Sequence, residues 1–190
     1  MEACAYALFD TSIGRCALLW RGGLITGAAL PEQSDEAMQR SLSLRFPDAV
    51  QAPPPHVAQQ AIAAIRRLLE GEREDLSAIP LDLSALTEFE RNVLEEIRHI
   101  PCGETRTYGE IAARLGAPGA ARAVGGALGR NPVPIVIPCH RVLAASGQSG
   151  GFSAPGGATT KMKMLQIERA RRRSEGELFD SLPLALKPAR

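Results

Sequence analysis

The sequence predicts a mixed α/β (α+β) protein whose two halves are built differently. Its first thirty residues form short apolar runs separated by glycine-containing turns, which is typical of a small strand-rich domain. The second half instead contains three helix-like segments in close succession, with the outline of a helix-turn-helix. A charged, proline-interrupted stretch at 72–83 separates the halves. We therefore predict domains at 1–84 and 85–173, followed by a tail at 174–190 that is either disordered or loosely docked.

The N-terminal domain is predicted to contain three strands and two helices. The strands cover 3–9, 15–20 and 24–30, with turns between them. A helix capped by Ser34 or Asp35 ends before Pro47, because proline cannot continue a helix. A second helix has apolar residues at helical spacing over 57–69, and Gly71 is a suitable stop. No combination of catalytic side chains occurs in this half, so we expect it to be structural.

Three helices are predicted in the C-terminal domain. The first begins at Thr87, since Thr87 and Glu90 have the spacing of a capping box, and it ends before a Pro-Cys-Gly stretch at 101–103. Its apolar face consists of Phe89, Val93, Leu94, Ile97 and Ile100. The second helix covers 108–115. The third begins with Pro118 in its first turn and extends to residue 128.

The third of these helices is made mainly of small residues. Alanine or glycine occupies Ala117, Gly119, Ala120, Ala121, Ala123, Gly125, Gly126 and Ala127. Two explanations are open: close packing against another element, or the approach of a bulky object such as a nucleic-acid backbone. Because Arg122 is the one long side chain in the middle of this helix, we favour the second explanation.

Charge is divided unevenly along the chain. The net charge is +1, yet residues 1–110 carry 10 arginines and 17 acidic residues, whereas residues 111–190 carry 12 basic and 4 acidic residues. No acidic residue occurs at 111–167. The basic surface that follows from this pattern is either simply solvated or binds a polyanion. Binding of a polyanion is favoured because it releases the condensed counterions of the polyanion.

Composition excludes several classes of protein. With 45% hydrophobic and 23% charged residues, the chain is neither wholly disordered nor collagen-like. No apolar run reaches the roughly 18 residues of a membrane span. The N-terminus has no basic leader followed by an apolar run, so we expect a cytoplasmic protein without membrane association. The four cysteines contain no C-x-x-C pair, which predicts free thiols rather than a zinc knuckle or a disulfide framework.

The segment 131–142 is the most informative part of the sequence. Three prolines hold its backbone extended, and the apolar stretch 135–137 leads directly to Cys139 and His140. A cysteine in apolar surroundings is by default buried and inert. A rigid approach and an adjacent base instead favour an activated thiolate nucleophile.

Several motifs in this half resemble those of the O⁶-alkylguanine-DNA alkyltransferases, also called methylated-DNA–protein-cysteine methyltransferases. The sequence Ile-Pro-Cys-His-Arg-Val at 137–142 looks like the active-site signature of that family. Further motifs stand in the family's order and spacing at 100–105, 107–109, 120–125, 131–132 and 150–153, and at Lys161 and Glu168. The resemblance covers residues 86–170. The N-terminal half is similar only in outline, as a small strand-rich domain.

The resemblance implies a relay of three side chains. Cys139 corresponds to the family's alkyl acceptor, and His140 to the base that acts on it through a bound water. Glu168 corresponds to the carboxylate that orients and polarises the imidazole. Asn131 resembles the asparagine that ties the recognition helix to the active-site loop.

The same comparison implies a pocket for the damaged base. Tyr108 corresponds to a proton-donating tyrosine, Ser153 to a donor at the guanine oxygen, and Lys161 to a nearby lysine. Phe152 and Val142 belong to the pocket wall, and Phe152 stands where the family frequently has tyrosine. Two additional residues after Ser153 lengthen the following loop, so the alignment of Ser153 and Lys161 is less direct than that of Cys139.

The resemblance further implies a C-terminal winged helix-turn-helix-like domain that binds double-stranded DNA containing alkylated bases, from the minor groove. The damaged base lies inside the duplex and must be extruded before it can react. Arg122 resembles the arginine that fills the gap left in the stack. The remaining predicted DNA contacts are Ala121, Gly125, Arg130 and Arg141.

The expected function is therefore DNA repair by a monomer. An alkyl group moves irreversibly from the O6 atom of guanine, and less readily from the O4 atom of thymine, to Cys139, once per molecule and without metal or organic cofactor. Two alternatives are a non-catalytic damage sensor of the alkyltransferase-like type, whose known examples replace the nucleophile, and a Cys-His hydrolase, which would turn over repeatedly.

Overall fold

The structure, a computed structural model, describes residues 3–145, 156–172 and 175–177. Within these residues the chain forms two four-stranded sheets and six α-helices, of which the first sheet and two helices come from the N-terminal half. This mixed α/β arrangement is the predicted fold class. No helix in the described part of the chain is both long enough and apolar enough to cross a membrane.

The N-terminal sheet has the order β3-β2-β1-β4. Its strands are β1 (Ala5–Thr11), β2 (Gly14–Arg21), β3 (Leu24–Ala29) and β4 (Val50–Gln51). The first three are antiparallel and β4 runs parallel to β1. Gly14 permits the tight first turn because its φ of +127° is rarely adopted by residues with a side chain. The three predicted strands are confirmed, although β1 begins and ends two residues later than expected.

Helices cover both faces of this sheet. Helix α1 (Asp35–Arg45) is capped by the Ser34 side chain, and α2 (His56–Leu69) ends close to Gly71, as predicted. Leu19 of β2 packs with Met38 and Leu42 of α1, whereas its neighbour Leu18 packs with the residues of α2. Successive side chains of a strand point to opposite faces, so the uninterrupted apolar run of β2 requires both helices.

Three helices form the core of the C-terminal half. They are α3 (Glu88–Arg98), α4 (Tyr108–Arg114) and α5 (Ala121–Gly129). Val93, Leu94, Ile111 and Val124 are fully buried where these helices meet. The capping box of α3 is confirmed, since the Thr87 and Glu90 side chains each accept a hydrogen bond from the other's backbone N–H.

Two helix predictions need correction. Phe89 is 39% exposed and does not belong to the buried face of α3, because it lies in the first turn of the helix, where the core cluster ends. Helix α5 begins at Ala121 rather than at Pro118. The reason is Gly119, whose φ of +94° lies outside right-handed helical geometry, so that residues 117–120 form a turn before the helix.

The second sheet has the order β6-β5-β7-β8 and was not predicted. It consists of β5 (Glu104–Thr107), β6 (Val142–Leu143), β7 (Arg171–Arg172) and β8 (Glu175–Glu177). The central strand β5 runs parallel to both β6 and β7. It therefore joins the segment after Cys139 to the segment after helix α6 (Gly157–Ile167). Strand β8 lies in the stretch predicted as a tail.

Segments from the second half complete the N-terminal core. The backbone N–H of Ala28 donates to the carbonyl of Pro132, at 2.8 Å. Val133, Ile135 and Val136 belong to the same buried cluster as the β2 and α2 side chains. The loop that leads to Cys139 is thus held between the two halves.

Candidate active site

The loop before Cys139 is fixed by one polar side chain and by apolar burial. The Asn131 amide donates through Nδ2 to the carbonyl of Ile137 at 2.9 Å, and its Oδ1 accepts from the backbone N–H of Val133 at 3.0 Å. Ile135 has a φ of 76°, which is rare for a β-branched residue, and its burial in the N-terminal core compensates for that conformation. Asn131, which follows α5, is thus bound at both ends of its side-chain amide to the loop.

Cys139 begins a short 3-10 turn (Cys139–Arg141) and is only 8% exposed. Burial raises the pKa of its thiol, while a hydrogen bond from Asn131 and the positive charge of Lys161 act in the opposite direction with a smaller effect. A thiol with a raised pKa is protonated at neutral pH. The sulfur therefore needs a base before it can act as a nucleophile.

The next residue supplies a buried imidazole that is paired with a carboxylate. His140 Nε2 lies 2.9 Å from Glu168 Oε1, and both side chains are 1% exposed. Burial by itself raises the pKa of Glu168, but the charges and hydrogen bonds of His140 and Arg141 outweigh it and hold the pKa at about 2. Glu168 is thus ionised and accepts a hydrogen bond, so the hydrogen of the neutral imidazole lies on Nε2.

The other ring nitrogen of His140 is available as a base. Burial lowers the pKa of His140, although Glu168 opposes this effect, so the imidazole is neutral at neutral pH. Its Nδ1 is buried and makes no hydrogen bond to the described residues. Buried polar atoms rarely lack a partner, and a bound water is a common one.

Arg141 is placed differently from the prediction. It was assigned to the DNA-binding surface, but it is only 5% exposed. Its Nε and Nη2 donate to the two oxygens of Glu168 at 2.8 and 2.9 Å, and its Nη1 donates to the carbonyl of Ile100 at 2.6 Å. The assignment was wrong because the buried carboxylate holds the guanidinium inside the protein. No signal in the sequence distinguishes Arg141 from the exposed arginines around it.

Lys161 is fully buried on α6, close to the same site. Its Nζ donates to the backbone carbonyl of Val142 at 2.6 Å, and burial lowers its pKa to about 8. The ammonium also lies 5.9 Å from the centre of the Tyr108 ring. The Val142 side chain is fully buried in the same apolar cluster as Cys139. The structure therefore brings these two predicted pocket residues close to the thiol.

Tyr108 opens helix α4 and is half-buried next to Cys139. Burial, and to a smaller extent the charge of Cys139, raise the pKa of its phenol. A Cβ atom at Gly125 of α5 would lie 3.8 Å from the Tyr108 ring. The phenol is therefore protonated at neutral pH and lies close to both Cys139 and helix α5.

The outer face of α5 contains the other predicted DNA contacts. Arg122 and Arg130 are exposed, while Ala121 and Gly125 are half-buried. The residues between the arginines on this face are small, which leaves the helix backbone accessible. Arg130 Nε binds the carboxylate of Glu90, whereas Arg122 makes no ion pair within the described residues. Arg122 is therefore the less neutralised of the two arginines.

Two predicted pocket residues, Ser153 and Phe152, lie outside the described residues, as does the two-residue insertion that follows Ser153. The four cysteines are free thiols. Among the described residues, no group of three or more histidine, cysteine or acidic side chains is arranged to hold a metal ion.

Comparison with known proteins identifies relatives whose similarity covers all of the chain that forms the candidate site. A sequence model described as the DNA binding domain of 6-O-methylguanine DNA methyltransferase matches residues 88–170. A Mycobacterium tuberculosis protein named methylated-DNA–protein-cysteine methyltransferase is 37% identical over 175 residues, which cover 92% of this chain and 98% of that protein. A Mycobacterium leprae protein of the same name is 40% identical over 172 residues, covering 90% and 96%.

The fold is shared with solved structures as well. The crystal structure of Mycobacterium tuberculosis OGT in complex with DNA has a TM-score of 0.71 and 36% sequence identity, covering 86% of this chain and 92% of that chain. Both halves of the molecule are therefore included in the similarity.

Proposed function

Because this chain belongs to the family of methylated-DNA–protein-cysteine methyltransferases, we propose that it repairs alkylated DNA with Cys139 as the alkyl acceptor. Its relatives of that name are 37–40% identical over most of the chain, so the activity is DNA repair by alkyl transfer. The residues that carry out each step are the part that we propose.

One observation carries the assignment. The fully buried pair of His140 and Glu168, joined at 2.9 Å, directly follows Cys139 in the chain through its histidine. Burying a charged group costs free energy unless the group is paired and hydrogen-bonded. This pair leaves Nδ1 of a neutral imidazole as a proton acceptor on the residue that follows the thiol in the chain.

The first step is removal of the thiol proton. The Cys139 S–H proton passes to His140 Nδ1, through a water that also satisfies this nitrogen. The resulting imidazolium is stabilised by the Glu168 carboxylate, in the manner of a catalytic triad. Burial keeps the thiol neutral until its proton passes to the base.

The second step is displacement at the alkyl carbon. A bond forms between the Cys139 sulfur and that carbon while the bond from the carbon to guanine O6 breaks, and its electron pair stays on guanine. Tyr108 supplies a proton to the purine, and the tyrosinate recovers a proton from the imidazolium or from solvent. The Lys161 ammonium favours the negative charge that develops in the pocket. The product is unmodified guanine and a thioether, which the chain cannot cleave, so each molecule acts once.

Access to the base requires DNA binding by α5. The exposed face of this helix has small residues and two arginines, and it belongs to a stretch of the sequence without acidic residues. Extruding a nucleotide costs a few kcal/mol, and a side chain that fills the gap in the stack reduces this cost. We assign that role to Arg122. O4-alkylthymine, which presents an alkylated oxygen in similar chemistry, is the proposed minor substrate.

Several finer points stay predictions of the sequence. They are contact from the minor groove, a monomeric protein, the cytoplasmic location, and the pocket roles of Ser153, Phe152 and Val142.

Mass spectrometry after incubation with a duplex containing O⁶-methylguanine tests the proposal. We expect the peptide with Cys139 to gain one methyl group in place of hydrogen, about 14 Da, in an amount stoichiometric with the protein. A protein that binds the damaged duplex and stays unmodified would be a damage sensor. Repeated turnover of an acyl substrate would indicate a hydrolase. Either of these results contradicts the proposal.

A further inference from the structure

Glu168 is held by two neighbours rather than by one. Its Oε1 accepts from both His140 and Arg141, and its Oε2 accepts from Arg141 alone. The two-oxygen contact with a planar guanidinium fixes both the charge and the rotation of a carboxylate. The proposed relay uses only the contact with His140. It gives no role to the two hydrogen bonds that Glu168 accepts from Arg141.

Arg141 is itself held in place. Its third donor, Nη1, donates to the carbonyl of Ile100, two residues after the end of α3. The following turn approaches Glu168 closely, since a Cβ atom at Gly103 would lie 3.2 Å from the backbone carbonyl of Glu168. The guanidinium therefore has one position available, and that position faces the carboxylate.

The tautomer of His140 depends on the state of Glu168. An ionised carboxylate only accepts hydrogen bonds, so it requires the hydrogen of the neutral imidazole on Nε2. A protonated carboxyl group donates its own hydrogen to Nε2, and the imidazole hydrogen then moves to Nδ1. In that state Nδ1 no longer accepts a proton from the thiol, and the relay stops.

We propose that Arg141 is a positioning residue of the alkyl-transfer site, which fixes the charge and orientation of Glu168 and thereby keeps Nδ1 of His140 as the proton-accepting nitrogen of the relay. The inference rests on the proposed function, because it assigns a task within that relay. It explains why an arginine next to the signature histidine is buried instead of facing DNA.

The other charged groups near this cluster do not replace Arg141. The Lys161 ammonium donates to the Val142 carbonyl. Its charge lowers the pKa of His140, so it does not favour the imidazolium in the way that Glu168 does. Asp75 and Cys102 are close enough to feel the charge of Arg141, but neither brings a positive charge to the carboxylate. Without Arg141, burial would act on Glu168 with only His140 to oppose it.

The first experiment compares two buried arginines. Arg141→Met removes the contact with Glu168. Arg98→Met is the matched control, because Arg98 is also largely buried and donates to a backbone carbonyl, that of Ile79, without touching the relay. We expect Arg141→Met to slow methyl transfer by about 10- to 100-fold, less than complete loss of a general base, which typically costs about 100- to 10,000-fold, and Arg98→Met by less than about 3-fold. Equal losses in the two variants would overturn the proposal.

The second measurement reads the tautomer directly. Long-range ¹⁵N NMR distinguishes Nδ1–H from Nε2–H imidazole, and the chain has only three histidines. We expect His140 to be Nε2–H in the native protein and in Arg98→Met, and to shift towards Nδ1–H in Arg141→Met. An unchanged tautomer in a folded Arg141→Met variant would overturn the proposal, even if transfer were slow.

A double-mutant cycle tests whether Arg141 acts through Glu168. Glu168→Gln removes the ionised carboxylate, so Arg141→Met should slow transfer by less than about 3-fold when added to it. If Arg141→Met costs the same factor with and without Glu168, Arg141 acts elsewhere and the proposal is wrong.

Arg141→Lys serves if Arg141→Met does not fold. A lysine keeps one positive charge near Glu168 but does not bind both oxygens. We expect the Nε2–H tautomer together with transfer slowed by about 10-fold, and a native rate would overturn the proposal.

The tautomer is measured without alkylated DNA. If the native protein transferred no methyl group, the proposed function would fail while the effect of Arg141 on the His140 tautomer could still be tested.

Discussion

Cys16 and Cys139 are two buried thiols in opposite halves of the molecule, and only one is placed for chemistry. Cys16 in β2 is 1% exposed, and burial raises its pKa to about 11. Its polar neighbours are Thr11 and the carbonyl of Gly14, neither of which is a base. Cys139 is similarly buried, but the next residue in the chain, His140, carries a neutral imidazole that is paired with Glu168. Burial alone keeps a thiol protonated and therefore unreactive. A base that takes the proton allows a buried thiol to become a thiolate.

The difference extends to the two halves as a whole. Within the described residues, the buried polar and charged side chains are Glu90, Thr105, His140, Arg141, Lys161 and Glu168. All of them follow residue 85, and the described N-terminal half buries apolar side chains only. Four of them, His140, Arg141, Lys161 and Glu168, are grouped near Cys139. Because buried charges are costly, this group marks the part of the fold whose stability is balanced against function.

The largest expected effect comes from removing each thiol in turn. Cys139→Ala should abolish methyl transfer, because it removes the proposed alkyl acceptor. Cys16→Ala should leave the transfer rate within about 2-fold of the native value, since the site lies in the other half. Rates are measured from the loss of O⁶-methylguanine in a duplex oligonucleotide.

Binding of the damaged duplex provides the control for this pair. We expect Cys139→Ala to bind as the native protein does, because the proposed DNA-binding face is on α5. Methyl transfer by the Cys139→Ala variant would contradict the assignment of the nucleophile.

Cys139 could be chosen as the candidate nucleophile from the sequence, whereas its surroundings could be predicted only in part. The thiol, the adjacent imidazole and the prolines before them are contiguous, so their order alone indicates a site. Glu168 lies 28 residues from His140 and was found only through the resemblance. Arg141 was misplaced because a basic residue looks the same in a sequence whether it faces DNA or a buried carboxylate.

The fold shows the same limit. The strands of the N-terminal sheet were predicted because their apolar residues have a clear pattern. Strand β5 was missed, since its sequence Glu-Thr-Arg-Thr has no apolar alternation and its place in the sheet depends on partners far along the chain. The start of α5 was misjudged because Pro118 suits a first helical turn, and the positive φ of Gly119 is not visible in the sequence.

The pH dependence of the two thiols sharpens the comparison. Burial lowers the pKa of His140 below its ordinary value of 6.5, so the base stays neutral at pH 6.5 and becomes protonated only in more acidic solution. Below that pKa, the transfer rate should fall by about 10-fold for each pH unit, because only neutral imidazole accepts the thiol proton. Single-turnover rates measured from mildly acidic to mildly alkaline solution test this expectation.

Cys16 should behave in the opposite way. With no base beside it, its reaction with iodoacetamide should stay slow until the pH approaches its pKa of about 11. A transfer rate for Cys139 that instead rises steadily with pH across the neutral range would mean that free thiolate, not the His140 relay, limits the reaction.

A smaller effect is expected on DNA binding. Arg122→Ala should weaken binding to a duplex with O⁶-methylguanine by about 10-fold and lower the salt dependence by about one counterion, since one exposed cation is lost from α5. Arg40→Ala is the control, because Arg40 is also exposed but lies on α1 of the N-terminal half. Fluorescence anisotropy at several salt concentrations gives both quantities. Equal effects of the two substitutions would mean that binding depends on overall charge rather than on α5.

The smallest effect compares one helix cap in each half. Ser34 caps α1 with a single hydrogen bond from Ala37, whereas Thr87 and Glu90 cap α3 reciprocally. Ser34→Ala should therefore cost about 1 kcal/mol of unfolding free energy, and Thr87→Ala closer to about 2 kcal/mol, because the second change also frees the Glu90 side chain.

Hydrogen exchange reports these losses helix by helix. We expect Thr87→Ala to reduce protection in α3 and, through the contact between Glu90 and Arg130, at the end of α5, while α1 stays protected. Thr87→Ser, which keeps the capping oxygen, should restore both. A loss of protection spread equally over α1 and α3 would show that the halves open as one unit, because the loop before Cys139 packs Val133 into the N-terminal core and couples them.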